Sequence, residues 1–253
     1  MDLQLKGKKA LVTGGTRGIG RAIVETLAKE GCDVAFCARD AGQVEAAVAE
    51  IGKLGVKATG AGIDVADATA LADWVGQSAS DLGGLDIVVA NVSALAQDNK
   101  PETWKASFDV DIMGTVNTVD AALPHVLKSE AGALVAISSA AGVWATGPMR
   151  AYNPIKSAII TYMALQATNL APKGVRSNTV SPGMIYFEDG VWGQREREQP
   201  EMFKRSLAAN PLGRMGTPQE VANAVAFVAS PCASFITGAN IMVDGALTGR
   251  VQF

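Results

Sequence analysis

Seven short apolar runs recur along the chain, and each is continuous rather than alternating. They are Lys9–Thr13, Asp33–Cys37, a weaker one within Val56–Ile63, Asp86–Ala90, Ala133–Ile137, Val175–Val180 and Asn240–Val243. A strand that is apolar on successive residues buries both of its faces, as a parallel sheet covered on both sides requires. Segments with helical spacing lie between the runs. Ile19, Ala22, Ile23 and Leu27 share one helix face, and longer stretches cover 101–127, 151–170 and 218–228. The last opens with Thr217 as N-cap, Pro218 at N1 and Glu220 at N3, a capping box. Strand and helix alternate with no linker-like break. The pattern predicts one α/β domain over 1–253, with a doubly wound, mainly parallel seven-stranded sheet and helices on both faces.

Composition removes several classes of function. The 22 basic and 25 acidic residues leave a net charge of −3. Nucleic acid is therefore not an expected partner, and neither is a membrane surface. Charges interrupt every apolar run before the ~20 residues of a membrane helix. Met1-Asp2-Leu3-Gln4-Leu5-Lys6 has no signal pattern. Cys32, Cys37 and Cys232 are too scattered for a disulfide framework or a zinc site, so a cytoplasmic setting and no metal are expected. The single histidine, His125, sits in an apolar helix and reads as a packing residue. Any proton chemistry then rests on other groups.

The first strand runs directly into Thr13-Gly14-Gly15-Thr16-Arg17-Gly18-Ile19-Gly20, and a helix follows. Glycines there let the backbone turn tightly and approach a pyrophosphate, to which the helix N-terminus offers N–H groups. Arg21-Ala22 stands where a Walker A motif needs Lys-Ser/Thr, which excludes a P-loop.

The turn resembles that of the short-chain dehydrogenase/reductase family, and five motifs in order carry the resemblance from about Lys6 to Gly245. They are the glycine turn, a degenerate Ala90-Asn91-Val92-Ser93, Ser139 thirteen residues before Tyr152, the Tyr152-Asn153-Pro154-Ile155-Lys156 motif, and Pro182-Gly183. Pro211–Gly216, Thr237-Gly238 and Val243-Asp244-Gly245 resemble its 3-oxoacyl reductase branch. The resemblance implies a Rossmann domain and a homotetramer. It implies dinucleotide contacts from Gly14, Thr16, Arg17, Gly18, Ile19, Gly20, Arg39, Asp64, Val65, Asn91, Val92, Ser93, Tyr152, Lys156, Pro182, Gly183 and Ile185. At the end of the second strand an acid would select NAD, whereas arginine accommodates the 2′-phosphate of NADP. Here Ala38 takes the acid's place and Arg39 follows, with Arg17 nearby, so NADP(H) is the expected cofactor.

Tyr152 and Lys156 are four apart on a helix and share a face. A free phenol, with a pKa of about 10, is a poor acid–base group at neutral pH, and a neighbouring ammonium favours its ionised form. By resemblance, Lys156 holds the nicotinamide ribose, Ser139 binds the substrate oxygen and Tyr152 exchanges its proton. Asp111 stands where the family often has an asparagine in its proton relay. Pro154 implies that Tyr152 lies near the start of its helix. Ser93, Ala94, Leu95, Ser139, Val143, Trp144, Met149, Met184, Tyr186, Phe187 and Trp192 are the expected pocket, an apolar set suited to a hydrophobic ketone or alcohol. The charged, non-periodic stretch 186–210 reads as a surface loop or a substrate lid. The expectation is an NADP(H)-dependent oxidoreductase interconverting a ketone and a secondary alcohol. The alternatives are a 3-oxoacyl-thioester reductase and an NADP-binding sensor with little turnover.

Overall fold

In a computed structural model the structure describes residues 1–95, 98–145 and 147–249. Its strands are β1 (Lys9–Thr13), β2 (Asp33–Ala38), β3 (Ala58–Gly62), β4 (Ile87–Ala90), β5 (Ala133–Ile137), β6 (Arg176–Pro182) and β7 (Asn240–Val243). They form one sheet in the order β3-β2-β1-β4-β5-β6-β7, and every neighbouring pair is parallel. Helices α1 (Gly18–Lys29), α2 (Ala41–Gly52) and α3 (Ala68–Leu82) connect the first strands. Helices α4 (Pro101–Ser107) and α5 (Gly114–Val126) follow β4, joined without a break by a π-helical turn at Phe108–Met113. The chain continues with α6 (Tyr152–Leu170), α7 (Val191–Glu198), α8 (Pro200–Ala208) and α9 (Pro218–Ala229).

The continuous apolar runs have a direct explanation in β2. Val34 and Phe36 face a core completed by α1, α2 and α9, while Ala35 and Cys37 face one completed by α3, α5 and α6. Both faces are dry, so alternation would leave polar groups buried. Burial pushes the Cys32 and Cys37 thiols up to about 12.

Side-chain caps fix the helix ends. Asp40 caps α2 by accepting from Gln43 N, and Asp67 caps α3 by accepting from Thr69 N and Ala70 N. Thr217 and Glu220 form the expected capping box of α9. Glu220 also receives both arms of Arg214 at 2.6 and 2.9 Å, which holds its carboxyl down at about 2. The other end of α9 is held by Arg176, whose buried guanidinium donates to the carbonyls of Val228, Ala229 and Ser230.

Residues 186–210 differ from a surface loop, because α7 and α8 occupy most of the stretch. These helices are polar and held locally: Gln194 bonds Glu198, Lys204 pairs with Glu201, and Pro200 opens α8 at N1. α7 has no apolar stripe, whereas α8 turns Met202, Phe203 and Leu207 to one half-buried face, a pattern too short to stand out in the sequence.

Candidate active site

Parallel strands carry all their C-terminal ends to one edge, and the loops there bring the site residues together. At the end of β1 the glycine turn is tightly constrained. Gly14 and Gly18 have φ of +73° and +54°, values that favour glycine. A Cβ on Gly20 would stand 1.9 Å from Gly14 O, so only glycine allows the turn to close onto α1. Arg17, at the N-cap of α1, makes no side-chain cap bond, so the first N–H groups of that helix remain free for an anion. Asn91, just beyond β4, braces the turn: its amide donates to Thr13 O at 3.0 Å and Gly14 O at 3.2 Å, and its own N–H bonds Thr13 Oγ1. This cradle fits a dinucleotide pyrophosphate.

The residues expected at the adenosine end lie in the loops after β2 and β3. Arg39 and Arg17 are exposed, and neither forms an ion pair among the described residues. Asp40 is committed to Gln43 rather than to Arg39. Asp64 is exposed and accepts from Ala66 N, while Val65 is buried against Gly114, where a Cβ would come within 2.8 Å of its side chain. Ser93 Oγ accepts from Leu95 N. Val92 is half-buried and packs against the core beneath β4. Pro182-Gly183 ends β6, with Gly183 packed on the Asp244 backbone and Ile185 buried beside Gly216.

The residues expected to handle the proton, Ser139, Tyr152 and Lys156, lie where β5 meets α6. Ser139 caps a single 3₁₀ turn, Ala140–Gly142, by accepting from Ala141 N at 3.1 Å, so its own hydroxyl proton is available to a ligand. Ser138 is turned inward and donates to Lys156 O at 2.7 Å. The Ser157 hydroxyl donates to Gly142 O, and a Cβ on Gly142 would meet the Lys156 backbone at 2.8 Å. These contacts press the Ser139 turn against the first turn of α6. Tyr152 is the first residue of that helix, so Pro154 falls in its first turn and breaks no hydrogen bond.

Lys156 and Asp111 are both almost fully enclosed at the site. The Lys156 ammonium lies 5.7 Å from the centre of the Tyr152 ring, donates to Ile137 O at 3.2 Å and sits 3.0 Å from Asp111 Oδ1. The two side chains are only 2% and 1% exposed. The Oδ1 contact is an ion pair rather than an aligned hydrogen bond, and Oδ2 accepts from Ala94 N at 2.8 Å. Asp111 reaches Lys156 because the π-helical turn places it on the inner side of the α4–α5 helix, where the Thr115 hydroxyl bonds its carbonyl.

The expected pocket residues are less uniformly apolar in their setting than in their composition. The Tyr186 hydroxyl donates to Glu196 at 2.5 Å, which raises the phenol's pKa, and its ring meets Phe203 edge-on at 6.0 Å. The Arg195 guanidinium covers the Trp192 ring at 4.7 Å. Met184 is half-buried against the Asn210 amide, and the Trp144 carbonyl faces Asn153. Phe187 is brought instead to the dinucleotide cradle. Its ring fills the space a Cβ would need on Gly18, 2.6 Å away, and on Gly190, 2.7 Å away. The Asp111–Lys156 pair and the bracing by Ser138 and Ser157 depend on contacts between distant segments. His125 lies at the last turn of α5, at the opposite edge of the sheet.

The geometry has counterparts in known proteins. The family model described as enoyl-(acyl carrier protein) reductase matches residues 14–248. Isoepoxydon dehydrogenase of Penicillium expansum is 38% identical over 255 residues, covering 98% of each chain. The 3-oxoacyl-acyl-carrier-protein reductase of Staphylococcus aureus is 34% identical over 246 residues, covering 95% of this chain and 98% of that protein. The crystal structure of L-sorbose reductase from Gluconobacter frateurii, complexed with NADPH and L-sorbose, superposes with a TM-score of 0.91 at 27% identity, covering 99% of this chain and 100% of that one. With the sheet order, the glycine cradle and the Ser139, Tyr152 and Lys156 cluster in place, these matches identify the lineage: the chain belongs to the short-chain dehydrogenase/reductase family.

Proposed function

We propose that this protein is an NADP(H)-dependent oxidoreductase that interconverts a ketone and a secondary alcohol. The observation that carries the reading is the packing of the Ser139 turn onto the α6 turn that holds Tyr152 and Lys156, at the same sheet edge as the glycine cradle. When bound, the dinucleotide supplies or takes up the hydride. Ser139 donates its hydroxyl proton to the substrate oxygen and fixes it beside the phenol. Tyr152 gives that oxygen a proton during reduction and removes one during oxidation. Lys156 donates one ammonium N–H to Ile137 O and is held against Asp111 Oδ1 by charge, which leaves further N–H groups for a ribose hydroxyl. Arg17 and Arg39, without ion-pair partners among the described residues, would bind the 2′-phosphate. Trp144, Met184 and Trp192 would take the apolar body of the substrate, with α7 and α8 as its lid.

Exposed Phe108, Leu165 and Phe235 support self-association, for which a homotetramer is our reading. Three free thiols suit a reducing, cytoplasmic compartment, and no helix among the described residues is long and apolar enough to cross a membrane.

The test follows NADPH and NADH consumption against cyclic ketones, open-chain ketones and 3-oxoacyl thioesters. Turnover with NADPH preferred over NADH by tenfold or more is the expected result. Preference for the thioesters would favour the 3-oxoacyl reductase reading. NADPH binding with no turnover on any member would oppose catalysis and favour a sensor.

A further inference from the structure

We infer that Asp111 is a positioning residue that commits this site to carbonyl reduction at neutral pH. The inference rests on the reading of Tyr152 as the proton-exchanging group. In reduction the carbonyl carbon gains a hydride from the reduced dinucleotide, which is oxidised, and the carbonyl oxygen gains the Tyr152 proton. In oxidation both leave the alcohol, and Tyr152 must first be the phenolate. The charge beneath the ring therefore decides which direction runs readily.

That charge is not a lone cation. Lys156 lies 5.7 Å from the ring centre, and the Asp111 carboxylate lies 3.0 Å from the same ammonium. Both are almost fully buried, so solvent screens neither. The phenol faces an ion pair with no net charge, and the help an ammonium gives to a phenolate is largely cancelled. Ala94 N holds the carboxylate in place, and the π-helical turn carries it inward, so the pairing is built into the fold.

The other charges around the site among the described residues are few, and the nearest in the chain fold is Asp98: its carbonyl accepts from Ala151 N just before Tyr152, while its exposed carboxylate is engaged by Lys100 N and by the Lys100 ammonium at 3.9 Å. On the same π-helical turn Asp109 points outward to Lys105 at 2.6 Å. The strand β5, Ser138 and Ser139 carry no charge. On α5, Asp120 and His125 lie towards the far end, Asp120 near Tyr162, and Arg176 of β6 serves the opposite edge. Arg150 precedes α6 and faces Arg195 of α7, whose neighbour Glu196 is held by Tyr186. Asp111 is thus the charge that opposes Lys156.

The experiment compares the parent with Asp111→Asn, an isosteric change that removes the negative charge. Two readouts are taken. One is the pH profile of ketone reduction and alcohol oxidation. The other is the ultraviolet titration of tyrosinate without substrate, with Tyr152→Phe subtracted. In the parent, the oxidation limb should lie on the alkaline side of the variant's. In Asp111→Asn both the oxidation limb and the tyrosinate titration should move about one pH unit towards acid. A folded, NADPH-binding Asp111→Asn with an unmoved profile overturns the inference. Should that variant fail to fold, Asp111→Ser takes its place, and an oxidation limb unmoved from the parent's in a folded Asp111→Ser overturns the inference. A parent that binds NADPH but turns over nothing overturns the proposed function as well, which separates the two failures.

Discussion

Replacing Arg176 with methionine tests how the α9 side of the sheet is held. The guanidinium donates to Val228 O at 2.5 Å, Ala229 O at 3.0 Å and Ser230 O at 3.0 Å, with a longer contact to Ile236 O at 3.4 Å. It thereby caps the last carbonyls of α9 with a positive charge where the helix dipole is negative. Three charge-assisted bonds at about 1.5–3 kcal/mol each give roughly 6 kcal/mol gross. Against this stands the cost of burial, visible in a guanidinium pKa held below its ordinary value. Recovering several kcal/mol of that cost in the variant leaves a net loss of about 3 kcal/mol. Urea unfolding at fixed protein concentration measures it, with an unchanged m-value required. NADPH affinity should stay within about twofold, because the cradle lies at the other end of the strands. A loss below about 1 kcal/mol would refute the reasoning and show that desolvation cancels the bonds.

Glu220→Gln removes the capping-box acid and the Arg214 pair. The folded carboxyl lies at about 2 instead of 4.5, so its contribution is present above pH 4.5 and is lost as pH falls towards 2. The site is solvent-exposed, so screening limits the loss at pH 7 to about 1 kcal/mol at most. The gap between parent and variant should narrow between pH 5 and pH 3, and a constant gap would contradict the assignment. Gly20→Ala puts a methyl 1.9 Å from Gly14 O and 2.5 Å from the Asn91 amide, so NADPH affinity should fall at least tenfold. Unchanged affinity by fluorescence titration would count against the cradle. Iodoacetamide at neutral pH should label Cys232 alone in the native protein, because Cys32 and Cys37 are buried and pushed up to about 12. Mass spectrometry showing label on either buried thiol would contradict that.

The features legible in the sequence are those set by short-range pattern. The apolar runs give the sheet, since a strand with two dry faces must be apolar throughout. The glycine turn and the four-residue step from Tyr152 to Lys156 are local, and so is the Thr217–Glu220 box. Contacts between distant segments leave little trace. Arg176 reads as a strand residue, yet its partners lie more than fifty residues away. Asp111 can be aligned with an asparagine, but its pairing with Lys156 depends on a π-helical turn that no periodicity marks. Phe187 looks like a pocket aromatic until Gly18 and Gly190 prove to be its neighbours. The helix α7 escapes notice because polar local bonds, including Arg197 to Glu188 O, replace an apolar stripe, and α8 because its apolar face of Met202, Phe203 and Leu207 is short.

The central claim is that Tyr152 moves the proton while the fold around it binds the dinucleotide. The most direct measurement is single-turnover reduction of the best ketone from the substrate panel by parent and Tyr152→Phe, each with NADPH pre-bound and its affinity measured alongside. In Tyr152→Phe, NADPH affinity should stay within about threefold of the parent while the rate falls by a factor of about 10²–10⁴, the range general acid catalysis supplies. A variant that binds NADPH and reduces the ketone at the parental rate would contradict that claim.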